Sequence, residues 1–326
     1  MSLHVNNHDN RSGGGGCLVV GIATIDVILS TPNFPQEDTK IRATKSEKRR
    51  GGNGSNTLVV CSQLDVFLSL HWMGILVNPS VNSDARFIVQ DLEAHGIDVS
   101  PCQIVDSGAM PTSYILSSAA TGSRTIVHHR ELDEVTVDHF EKTLPTLSSL
   151  GWIHFECRDA RRTLDMIAIA RAMHPTMPLS LEIEAPRHRW DLLQPAFGLV
   201  SYVFVSQTYV ESLGYTDAPS FLDVLALQVA NSSSLRGVLC PWGAQGAFYL
   251  ENGSVQHIPV DKLAHVVSSV GAGDAFIAAT MSALHAGQTL HQAVAAGCRV
   301  ARLKCLQPGM ELNQDDAAKN VFLHAS

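Results

Sequence analysis

The chain has 326 residues, 45% hydrophobic and 17% charged, enough apolar material to bury a large core. Its formal net charge of −8, from 23 basic and 31 acidic side chains, offers no attraction for nucleic acid or an anionic membrane surface, so neither is expected as a partner. The densest basic cluster, Lys48-Arg49-Arg50, is short and reads as a solvated face.

Residues 1–16 are polar, rich in Asn and His, and end in four glycines, the pattern of a disordered tail rather than of a secretory leader. Seven scattered cysteines without a C-x-x-C pair point to a reducing, cytoplasmic setting and to neither a disulfide framework nor a zinc site. From residue 17 to about 320 the pattern is that of one domain. Apolar runs at 18–22, 152–155, 179–183, 202–205 and 238–240 read as strands. Amphipathic segments at 55–64, 85–95, 159–173 and 218–230 read as helices between them. Strand and helix in alternation predict parallel strands joined by right-handed crossovers, an α/β doubly wound sheet flanked by helices. The alternation breaks twice. Residues 39–44, and 112–118 with 123–129 around Thr121-Gly122, are extended without intervening helices. They predict a small separate β-sheet that can act as a lid, with strands from about 30–45 and 110–130. Segments 247–250 and 255–259 flank Asn252-Gly253, a hairpin signal. The last third is helical through 275–286 and 290–304. The most apolar stretch, 264–287, is interrupted by Ser268, Ser269 and Asp274, which excludes a membrane span.

Gly271-Ala272-Gly273-Asp274 stands immediately before a run of good helix formers. Glycines at a helix start leave the first backbone N–H groups bare, so the corner can cradle an anion, and Asp274 in the first turn can reach the same pocket. A carboxylate beside a phosphate cradle suits phosphoryl transfer, in which a base accepts the attacking hydroxyl's proton. A tight turn with an acidic helix start would read the same way. No Walker A pattern occurs. Gly51-Gly52-Asn53-Gly54-Ser55-Asn56 opens the first helix with two amides on one side of its start, placed either to hold a polyol or to cap the helix. Asp26 lies in an apolar strand and needs a partner, a sugar hydroxyl or a salt bridge, and Asp38 follows in a loop. His154-x-Glu156 lacks the P-C-x-x-C of zinc deaminases and reads as a core histidine. His128 and His129 point to opposite faces of a strand and cannot share a metal.

Five blocks in order resemble the PfkB, or ribokinase-like, carbohydrate kinases, and within them the ketohexokinase branch. They are Gly51 to Asn56, Arg124-Thr125-Ile126-Val127, Trp152 to Glu156, Val203 to Ser206 and Val270 to Asp274, with Gly297 to Ala301 and Lys304-Cys305 matching that branch further. The resemblance covers residues 17 to about 309. It implies ATP as phosphoryl donor with Mg2+, and transfer to a sugar hydroxyl, O1 of a ketohexose such as fructose in that branch. It implies that Asp26, Asp38, Gly52, Asn53 and Asn56 hold the sugar, that Asp274 is the base, and that Gly271, Ala272 and Gly273 hold the phosphoryl charge. Arg124 would reach the nucleotide phosphates from the lid, and Gly243, Ala244, Gln245 and Gly246 would face the nucleotide. The lid strands would form a homodimer contact. Three departures stand out. Ser268-Ser269 replaces the Asp-Thr whose acid serves the family's monovalent-cation site. The Asn-x-x-Glu magnesium motif falls on Ser206 to Tyr209, which leaves Mg2+ to the nucleotide and water. His128 to Glu131 is more basic than its counterpart and bears on which sugar is accepted. The alternatives are a kinase for ribose, a nucleoside or another sugar, and a sugar- or nucleotide-binding regulator without turnover.

Overall fold

The computed structural model describes residues 14–121, 123–230 and 232–312; the tail expected at 1–16 lies outside these except for Gly14 to Gly16. The chain enters at β1 (Gly16–Val20), then β2 (Thr24–Thr31) and β3 (Lys45–Gly51) lead into α1 (Asn53–Leu64). β4 (Leu70–Met73), β5 (Ile75–Val77), α2 (Ser83–Ala94), β6 (Ile97–Asp98), β7 (Gln103–Val105), β8 (Thr112–Ser118) and β9 (Arg124–His129) follow. The second half begins with α3 (Val137–Thr143), β10 (Leu150–Glu156), α4 (Ala160–Met173), β11 (Leu179–Ile183), α5 (Trp190–Leu193) and β12 (Tyr202–Val205). It continues through α6 (Gln207–Ser212), α7 (Ala218–Val229), β13 (Gly237–Pro241), β14 (Ala247–Glu251), β15 (Ser254–Ile258), α8 (Ala272–His285) and α9 (Leu290–Cys305).

The large sheet has the order β15-β14-β13-β12-β11-β10-β1-β4-β6. Every pairing from β6 across to β13 is parallel, and β14 and β15 add an antiparallel edge. Their turn is Asn252-Gly253, with φ of 50° and 75°, the two left-handed residues that a tight hairpin requires. Alternate residues feed two apolar layers. In β1, Cys17 and Val19 join α1, α2, α8 and α9 on one face, while Leu18 and Val20 join α3, α4 and α7 on the other. That division explains why the parallel strands read as continuous apolar runs: both of their faces are covered. Among the described residues no helix is long and apolar enough to cross a membrane.

The small sheet has the order β3-β2-β8-β9, with β2 and β8 parallel and the outer pairs antiparallel. Its first strands are not at 30–45. They are 24–31 and 45–51, and residues 32–44 form the connection between them. Pro32 and Pro35 lack the N–H a ladder needs and mark the end of β2, and pairing with it resumes where Thr44 N–H donates to Ser30 O. Gly16 is likewise a buried strand residue and not the end of the tail. The first strand of the large sheet is flanked by β10 on one side and β4 on the other, so successive crossovers leave it in opposite directions. The crevice beyond the carboxyl ends of the strands at such a reversal is where α/β sheets bind ligands.

Candidate active site

A cavity of about 570 Å3 opens at that crevice. Ile22, Arg158, Glu182, Ser206 and Pro241 reach it from the ends of the central strands, and Asp26, Ser113, Ile126 and His128 cover it from the small sheet. One wall is the start of α1, with Gly52, Asn53 and Asn56; the facing wall is the start of α8, with Gly271, Gly273 and Asp274.

Both helix starts depend on glycine. Gly52 has φ of 101° and a Cβ there would lie 2.5 Å from Ile22 O; Gly271 has φ of 81° and a Cβ would lie 2.3 Å from Met310 Sδ. Neither helix is capped by a side chain, so the two asparagines are not caps. Asn53 Nδ2 donates to Glu182 Oε1 at 2.9 Å and Asn56 Nδ2 to Asp274 Oδ2 at 2.8 Å. At the α8 corner, Ala272 N–H is already engaged by Ser269 O at 3.2 Å. Gly273 and Asp274, the next two residues of the first turn, have N–H groups with no acceptor inside the helix.

Asp274 is buried, and burial holds its pKa well above the usual carboxylate range; Glu182, Glu184 and Glu156 push the same way, and the Asn56 amide opposes them. Asp26 is raised mainly by burial and is held by the hydroxyls of Thr24, at 3.0 Å, and Ser113. Its partners are thus hydroxyls, and Arg50 acts on it only at longer range.

The basic run 48–50 is only partly a solvated face. Arg50 is 9% exposed: its Nε donates to Asp91 at 2.6 Å and its Nη1 to Asn56 Oδ1 at 2.8 Å. With its carbonyl oxygen so occupied, Asn56 must present its NH2 to Asp274. Strand alternation turns Arg50 inward, a signal present in the sequence once β3 is placed correctly. Glu182 was legible by the argument used for Asp26, a carboxylate inside an apolar strand. Burial raises its pKa; Oε1 accepts from Asn53, while Oε2 has no hydrogen-bond partner among the described residues and stands 3.9 Å from His154 Nε2. His154 is a core residue, bonded to Ser180 Oγ at 2.8 Å and lowered to about 4 by burial. Glu156 Oε2 accepts from Ile22 N–H at 2.9 Å and Gly54 N–H at 3.3 Å, tying the end of β1 to α1.

Arg124, Gly243 to Gly246 and Asp38 stand apart from the cavity lining. Arg124 reaches from β9 to the α8 corner, donating to Ser268 Oγ at 3.2 Å and Ser269 Oγ at 3.0 Å. Gly243, Ala244 and Gln245 form a short turn closed by Gly246, just beyond the cavity residue Pro241. Asp38, at φ of 57°, lies in the exposed 32–44 connection and does not line the cavity. His128 faces the cavity and bonds Ser113 Oγ at 3.1 Å, whereas His129 lies 3.8 Å from Glu131, as opposite strand faces require. A divalent cation finds no free donor at the positions of the Asn-x-x-Glu motif. Ser206 Oγ is bonded to Glu184 O and the Tyr209 hydroxyl donates to His188 O at 2.7 Å, so the Asn-x-x-Glu positions do not fit one. Among the described residues no three metal-binding side chains cluster.

The family model described as pfkB family carbohydrate kinase matches residues 16–317. The ketohexokinase of Mus musculus is 33% identical over 305 residues, covering 90% of this chain and 97% of the mouse protein. The structure of Arabidopsis thaliana ribokinase complexed with ribose and ATP superposes with a TM-score of 0.75 at 15% identity, covering 95% of this chain and 100% of that one. Ribokinase from Cryptococcus neoformans in complex with ADP gives 0.71 at 19% identity, covering 94% and 99%. The chain belongs to the pfkB family of carbohydrate kinases and is an ATP-dependent sugar kinase.

Proposed function

We propose that this kinase is of the ketohexokinase type, moving the γ-phosphoryl group of ATP to O1 of a ketohexose, with fructose giving fructose 1-phosphate. The observation that carries the reading is the meeting of Asn56 and Asp274 at 2.8 Å in one cavity with the bare α8 corner; the 33% identity to mouse ketohexokinase favours the acceptor. Asp26, Gly52, Asn53 and Asn56 hold the sugar hydroxyls. Asp274 takes the proton of the attacking hydroxyl. Its raised pKa suits that role, because a more basic carboxylate is the better acceptor while transfer proceeds. The N–H groups of Gly273 and Asp274, at the Gly271-Ala272-Gly273 corner, stabilise the charge spread over the transferring phosphoryl oxygens. Arg124 adds a permanent, forked charge from the small sheet, which acts as a lid over the cavity and excludes water. Gly243 to Gly246 border the nucleotide. Mg2+ comes with the nucleotide and water, since no three metal-binding side chains cluster among the described residues.

One domain spans the whole fold. The outer residues of the lid, Tyr114 at 50% and Val127 at 61% exposed, are cross-strand partners and form the contact of a homodimer. The setting is cytoplasmic.

An ADP-release assay across fructose, other ketohexoses, ribose, nucleosides and aminosugars tests the reading. Fructose-selective turnover is expected. Selective turnover of another acceptor would replace the substrate and keep the mechanism, and silence with retained binding would make the chain a sensor.

A further inference from the structure

Lys304, near the end of α9, is fully buried. Its Nζ donates only to backbone carbonyls, Ser268 O at 3.1 Å and Gln307 O at 3.3 Å, and it forms no ion pair among the described residues. A buried ammonium without a carboxylate is costly, and its placement gives the cost a purpose. A Cβ on Gly271 would lie 3.5 Å from Lys304 Cε, so the charge sits directly behind the α8 corner. Arg124 approaches the same segment from the opposite side through the hydroxyls of Ser268 and Ser269. Two cations, one fixed and one carried by the lid, thus bracket residues 268–271. An arrangement of that kind is incomplete until a polyanion enters between them.

We propose that Lys304 is the built-in cation of the phosphoryl site: it positions the Gly271 to Gly273 corner through the Ser268 carbonyl and keeps that corner positive without touching the substrate. The inference rests on reading the corner as the phosphoryl site. The groups acting on Lys304 are consistent with a charge awaiting an anion. Its pKa is lowered to about 8, chiefly by burial, with Arg124 and Arg49 pushing the same way and Cys305 and Asp274 opposing them.

The test compares the wild type with K304M and K304R, with folding checked by circular dichroism. ATP affinity is read by calorimetry, and kinetics with the acceptor found to turn over. K304M is expected to weaken ATP binding about tenfold, the scale of one charge-assisted contact, with the sugar KM within about twofold. K304R should retain most of the affinity, and ammonium chloride should restore part of the loss in K304M while leaving the wild type unchanged. Wild-type kcat/KM for ATP should fall above about pH 8 as the ammonium deprotonates, a limb missing from K304M. Wild-type ATP affinity and pH profile in K304M would overturn the inference, as would a loss shared equally by sugar and ATP and untouched by ammonium. If K304M does not fold, retained ATP affinity in K304R together with the wild-type limb supports the inference, and the absence of that limb overturns it. The calorimetric arm needs no acceptor, so failure of the fructose assignment shows only in the sugar panel.

Discussion

Asn56 Nδ2 donates to Asp274 Oδ2 at 2.8 Å although 218 positions separate the two residues. A bare helix corner with its acid and an early amide therefore face one another across a single cavity. Asp274→Asn keeps the shape and removes the proton acceptor. Turnover is expected to fall about 10^3-fold, within the range for loss of a general base, while sugar binding measured by calorimetry changes little. Turnover equal to the wild type would end the general-base assignment.

Asp274 also sets a pH dependence. In the proposed mechanism the reactive form is the carboxylate, and burial beside Glu182 raises its pKa, so kcat/KM should climb with pH through a limb above the ordinary carboxylate range. The Asn56 amide favours the ionised form, so Asn56→Ala should displace that limb to higher pH and raise the sugar KM. A limb at the usual carboxylate pKa, unmoved by Asn56→Ala, would show that another group limits the reaction.

Much of this geometry is legible in the sequence because it is local. Gly271 to Asp274 and Gly52 to Asn56 each encode a helix start within a few residues, and the runs at 179–183 and 202–205 are strands at the bounds read from their apolar pattern. What escapes is whatever depends on register between distant segments. Arg50 resembles any surface arginine until the pairing of β3 with β2 turns it toward Asn56. Lys304 stands out in the sequence only through its resemblance to the ketohexokinase branch, and only the fold shows that its ammonium is buried on Ser268 O. The extended pattern at 39–44 misplaces the lid strands because pairing with β2 begins at Thr44, whose N–H donates to Ser30 O, and runs on through Gly51.

Glu182 offers a test by stability. Burial raises its pKa in the folded chain, so folding takes up a proton there between the unfolded and folded pKa values, and stability declines as pH rises through that window. Glu182→Gln can still accept from Asn53 through its amide oxygen and has no charge to bury. Its Tm at pH 8 should exceed the wild type by about 2 °C, the response to roughly 1 kcal/mol in a chain of this size, and the gain should vanish at pH 5. A gain of equal size at both pH values would mean that packing, not ionisation, is responsible.

Arg124 separates the lid's charge from the fold. Its guanidinium is exposed and, among the described residues, bonds only the hydroxyls of Ser268 and Ser269, so it contributes little to the apo protein, and Arg124→Ala should leave Tm unchanged. Its value lies in the anion it meets. The KM for ATP should rise about tenfold, as for loss of one charge-assisted contact, with the sugar KM steady. Arg124→Lys should recover only part, because an ammonium keeps the charge and loses the fork that spans two phosphate oxygens. The two cations also predict a coupling. If Lys304 and Arg124 act on the same phosphoryl group, K304M and R124A together should cost more in ATP affinity than the sum of the singles, since the polyanion shifts toward whichever cation remains and has none left once both are gone. Strict additivity in calorimetric titrations would place the two charges on separate parts of the nucleotide.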